Sequence, residues 1–75
     1  MTARKMFERL GYKLVVNNDE VIQYALHGYC TFEITFYKHE EIYIVEHQNL
    51  PTSVSVREHK AINQQLMELG WLDVD

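Results

Sequence analysis

Leu10-Gly11-Tyr12 and Leu69-Gly70-Trp71 close two amphipathic stretches, far apart in the chain, with one pattern of leucine, glycine and aromatic residue. Glycine accepts the left-handed conformation that stops a helix, and the aromatic after it can fold back onto the last turn. The pattern predicts a helix before each glycine. Between these endings the hydrophobic period changes from 3.6 to 2, which is the period of strands.

In the first stretch Ala3, Met6, Phe7 and Leu10 fall on one side of a helix, and Arg4, Lys5, Glu8 and Arg9 on the other. Thr2 is the natural N-cap. Arg4 and Lys5 oppose the helix dipole in the first turn, so a helix this short must draw its stability from packing.

Four strands are expected, at residues 12–16, 21–27, 29–37 and 41–46. In the third, Cys30, Phe32, Ile34 and Phe36 alternate with Thr31, Glu33, Thr35 and Tyr37, giving one apolar face and one polar face. The other strands can be phased to match, with Tyr12, Leu14, Val16, Ile22, Tyr24, Leu26, Ile42 and Ile44 toward the core. Residues 17–20, 27–28 and 38–40 are short enough to be hairpin connections, which makes an antiparallel meander the economical topology.

Pro51 marks a break, and residues 49–52 read as a connecting loop. Ser55 and Glu58 form a capping box that opens the second helix, with Ile62, Leu66 and Leu69 as its apolar stripe and His59 and Gln65 at the edges. Val56, Asn63 and Met67 line up on its far side. The expectation is a single α+β domain over residues 1–75. Its order is α-β-β-β-β-α, with a four-stranded antiparallel meander sheet and two helices packed on one face.

The chemistry-bearing residues argue against an enzyme. His27, His39, His47 and His59 have no i, i+2 or i, i+4 spacing, and only one cysteine accompanies them, so no metal site is expected. Cys30 alternates with core phenylalanines and reads as a small buried hydrophobe. Gly11, Gly28 and Gly70 are too far apart for a phosphate loop, and the acidic residues fall mostly in turns and on exposed faces. No cofactor is expected. A formal charge of −4 disfavours a nucleic-acid partner, which usually meets a basic patch. A lone cysteine excludes an internal disulfide and fits a reducing cytoplasm, and no apolar run is long enough to cross a membrane.

The polar face of the sheet is apolar for a wet surface. Val15, Thr35, Tyr37, Tyr43 and Val45 fall there with Val21. These residues either pair simply as cross-strand neighbours or form a contact surface for a protein, in which tyrosine supplies area at low entropic cost. The contact surface is the expected working part, and its partner a host or phage protein or a second copy of the chain.

That expectation of a phage setting comes from a resemblance. The opening residues from Thr2 to Tyr12, with His59-Lys60-Ala61-Ile62-Asn63-Gln64-Gln65 and Glu68-Leu69-Gly70-Trp71 near the end, resemble small uncharacterised proteins encoded by phages and prophages of Gram-positive bacteria. The resemblance covers the two helices and not the strands. It implies an accessory protein of a phage or mobile element acting in the bacterial cytoplasm, with a nucleic-acid-associated factor or an acidic mimic of nucleic acid as the alternative.

Overall fold

The computed structural model describes residues 1–28, 31–47 and 53–72. Helix α1 spans Ala3–Arg9, strands β1 to β4 span Lys13–Asn17, Val21–Leu26, Phe32–Tyr37 and Ile42–His47, and helix α2 spans Val56–Glu68. The four strands form one antiparallel sheet in the order β1-β2-β3-β4. Class, element order and meander topology are those the sequence predicts. Cys30 and the loop at residues 49–52 lie outside the described residues.

Local signals set the helix limits. Thr2 Oγ1 accepts the Lys5 amide at 3.2 Å and caps α1, and the Ser55–Glu58 capping box at the start of α2 is complete in both directions. Gly11 and Gly70 follow the two helices at φ +96° and +75°, in the left-handed region that frees the last turns to close. The Trp71 amide returns to the Leu66 carbonyl at 3.0 Å, while the indole packs 6.4 Å from the Phe36 ring.

One sheet face packs against the helices. Phe7 of α1 stacks on Tyr24 at 4.1 Å between ring centroids and meets Tyr12 and Phe36 edge-on. Phe7, Ile34, Phe36 and Ile62 are the largest fully buried side chains, with Leu10, Phe32, Leu66 and Leu69 packed around them half-buried. Ala3 and Ala61 are also fully buried, small enough for close helix packing. Gln65, expected at the edge of the helix stripe, is instead inside: its Oε1 accepts the Tyr24 hydroxyl at 2.7 Å, which satisfies two buried polar groups at once.

The phase of β4 is the reverse of the expected one. Opposite residues of an antiparallel pair share a face, and the register sets Tyr37 against Ile42, Phe36 against Tyr43 and Ile34 against Val45. Tyr43, Val45 and His47 therefore face the helices, while Ile42, Ile44 and Glu46 face outward. The cause is one residue of turn. Glu41 takes a left-handed conformation at φ 54° and belongs to the connection, which runs over residues 38–41 where three residues were expected. A slip of one residue moves every side chain of a strand to the other face. Ile42, placed in the core by sequence, is half exposed in consequence.

A second departure lies in β1. Leu14 pairs with Tyr24, but Val16 pairs with Gln23, so an extra residue, Val15, sits in a bulge. Val16, expected on the core face, is shifted to the outer face by that insertion.

Candidate functional site

Three rows of side chains cross the outer face. Val21, Tyr37 and Ile42 stand level in one, Val16, Gln23, Thr35 and Ile44 in the next, and Lys13, Ala25, Glu33 and Glu46 in the third. Thr35 and Ala25 are small and lie between longer neighbours, so they are only 5% and 3% exposed although no helix covers them. The Gln23 side-chain amide donates to Thr35 Oγ1 at 2.9 Å and to Glu33 Oε2 at 3.4 Å, holding the middle of the face polar and ordered.

Of the residues expected to form a contact surface, Val15 is 47% exposed in the bulge, Thr35 is buried at the centre of the outer face, and Tyr37 is half-buried in its first row. Tyr43 and Val45 are not on this face. They point to the helix side, where Tyr43 lies 5.7 Å from the Phe36 ring and Val45 packs against the core. Their places are taken by Ile42 and Ile44, 49% and 41% exposed. The face is thus more apolar than the sequence reading had it, since two isoleucines replace a tyrosine and a valine. Parity was the missing signal, because nothing in Glu41 announces a left-handed residue.

One end of the face is acidic. Glu33 and Glu46 stand directly opposite each other on β3 and β4, a like-charge pairing that opposes sheet formation. They line an open hollow of about 410 Å³ together with His27, Thr31 and His47. The His47 ring stacks on Phe32 at 3.8 Å, and its Nε2 is buried without a hydrogen-bond partner among the described residues. Among the described residues no group of three or more His, Cys, Asp and Glu side chains is arranged to hold a metal ion.

A smaller hollow of about 220 Å³ lies between α1, the sheet and the start of α2, lined by Leu10, Tyr12, Leu26, Phe32, Ser55 and Glu58. The Tyr12 hydroxyl donates to Glu58 Oε2 at 2.5 Å. Burial, this hydrogen bond and the charge of Glu58 all push the Tyr12 hydroxyl well above the ordinary tyrosine range. Burial of Glu58 raises its carboxyl, but hydrogen bonds from Tyr12 and Ser55 outweigh that and hold it below the usual carboxylate value. A tyrosine locked protonated against a carboxylate that already caps a helix is a structural clasp.

The chain matches no family model, and no curated protein or solved structure is significantly similar to it. Among the described residues no helix is long and apolar enough to cross a membrane.

Proposed function

We propose that this chain is a non-enzymatic accessory protein of a phage or prophage, working in the bacterial cytoplasm as a protein-interaction module through its outer sheet face. The observation that carries this reading is the pair Ile42 and Ile44, about half exposed on that face in rows shared with Tyr37 and Val16. Fully burying a side chain of that size is worth about 1.5 to 3 kcal/mol, so a partner that covers both gains a substantial fraction of a specific affinity. Tyr37 adds aromatic area with a polar tip.

The acidic end defines the partner further. Glu33 and Glu46 repel each other across the strand pair, and a cation between them relieves that repulsion. The fitting partner is a protein with an apolar strip next to an arginine or lysine. The same carboxylates repel a phosphate backbone, which weighs against the nucleic-acid alternative. The phage setting rests on the resemblance of the two helix sequences.

A Tyr37→Ser, Ile42→Ser double variant tests the reading. Tagged protein expressed in a Gram-positive host carrying the phage should capture a defined partner, and the double variant, with unchanged circular dichroism, should lose it. Capture of the same partner in the same amount by the folded double variant overturns the reading.

A further inference from the structure

The two edges of the sheet are built differently. β1, at one edge, begins with Lys13 and is broken by the bulge at Val15, two features that keep an edge from pairing with another strand. β4, at the other edge, keeps an unbroken six-residue register with β3 and contains neither lysine nor proline. Ile42 and Ile44 are exposed on its outer side, and on the side of the helices Tyr43 is 41% exposed while Val45 packs against the core. Among the described residues no other segment pairs with this edge, and its backbone N–H and C=O groups are flanked by apolar side chains, the arrangement to which another strand adds.

We infer that β4 pairs antiparallel with β4 of a second copy across a two-fold axis, making one continuous eight-stranded sheet. This rests on the edge and not on the outer-face reading. Two considerations select a second copy as the occupant. Each chain offers one open edge and one guarded edge, so pairing of the open edges closes at two copies and leaves no edge on which a fibre can grow.

The strand is also complementary to itself. A two-fold axis normal to the sheet sets some residue opposite its own copy. With Ile44 at the axis, Ile44 meets the partner's Ile44, Tyr43 meets the partner's Val45, and Ile42 meets the partner's Glu46. Aromatic against β-branched pairs are favourable cross-strand neighbours. Centring on Tyr43 instead limits the pairing to residues 42–44, and centring on Val45 leaves Ile42 with no strand residue opposite and gives up the Ile44 pair. The Ile44 register also joins the two outer faces, with four isoleucines gathered around the axis.

Sedimentation of the full chain over a concentration series should show the mass rising from one chain to two. A chain that stays monomeric at every concentration overturns the inference. Ile44→Lys and Ile44→Glu each place like charges opposite at the axis, so each variant alone should remain monomeric with unchanged circular dichroism, and an equimolar mixture should recover the dimer. A folded single variant that dimerises alone, or a folded mixture that does not, overturns it. If either variant does not fold, amide exchange in the unmodified chain decides: exchange at residues 42–47 should slow as concentration rises, and exchange independent of concentration overturns the pairing. Mass and amide exchange are read on the isolated chain, so their outcome is independent of whether the outer face captures a partner.

Discussion

Glu68 Oε2 accepts the backbone N–H of Ala3 at 2.7 Å, so the last turn of α2 supplies the carboxylate that the first turn of α1 lacks. Arg4 and Lys5 leave the α1 dipole uncompensated locally, and the compensation arrives from a residue 65 positions away. Gln64 steadies the same carboxylate at 3.0 Å. Glu58 holds Tyr12 just beyond the other end of α1. The helices therefore run in opposite directions, with α1 clasped near both ends by glutamates of α2.

Glu68→Ala should lower stability by about 1 to 2 kcal/mol, the range for a charged acceptor at a helix N-terminus. Glu68→Gln, which keeps an acceptor and loses the charge, should cost less. Urea midpoints of the three proteins check the order, and equal midpoints would remove Glu68 from the account of α1.

Gln65→Leu leaves the buried Tyr24 hydroxyl without its acceptor and should cost about 1 to 3 kcal/mol. Adding Tyr24→Phe removes the orphaned donor, so the double variant should recover part of that loss. Simple additivity of the two single changes in denaturation would show that the bond to Tyr24 does not set the cost.

Stability should fall at both extremes of pH. Glu58 has a folded pKa below its unfolded value of about 4.3, so its contribution is present above that pH and lost as pH falls through the folded value. Burial first, and then the charge of Glu68, push Tyr24 up to about 12. Its contribution is complete below the unfolded tyrosine value of about 10 and lost as pH rises from there through the folded value. Tyr12 acts in the same direction. Glu58→Gln should flatten the acid limb of urea midpoint against pH, and tyrosinate absorbance should follow unfolding on the alkaline limb.

The two isoleucines at Ile34 and Ile42 should behave differently despite similar sequence surroundings. Ile34 is fully buried, and Ile34→Ala should cost about 2 to 5 kcal/mol through lost burial and a cavity. Ile42→Ala should cost under about 1 kcal/mol in the monomer, since half of the side chain already meets water. Equal losses in thermal or urea melts would restore the phase of β4 expected from sequence.

Gly70→Ala should cost about 1 kcal/mol from its positive φ alone, because an added Cβ there meets nothing within 4 Å. At Gly11 the added Cβ comes within 3.0 Å of Leu26 Cδ1, so Gly11→Ala carries the backbone cost and a displaced core leucine. The Gly11 variant should melt lower than the Gly70 variant.

The helices were legible from sequence because their limits are written in local chemistry: a threonine cap, a serine and glutamate three apart, and two glycines. The central strands were legible because Phe32, Ile34 and Phe36 alternate with Glu33, Thr35 and Tyr37. The candidate surface was legible as a face but not residue by residue. Its composition depends on strand parity, which Glu41 and Val15 each change by one position through backbone conformations that neither residue type signals. Glu68 and Gln65 were missed for another reason, since their partners, Ala3 and Tyr24, are distant in sequence and only the packing of α2 brings them close.

The clasping of α1 also bears on how the chain comes to be folded. A seven-residue helix with a basic first turn is far below the length at which helices persist by themselves in water. Both glutamates that secure it belong to α2, which leaves the ribosome after α1 and the whole sheet. During synthesis the hairpins of the sheet can form as they emerge, while α1 waits for α2 before its own backbone settles. Loss of α2 should therefore unravel α1 along with it.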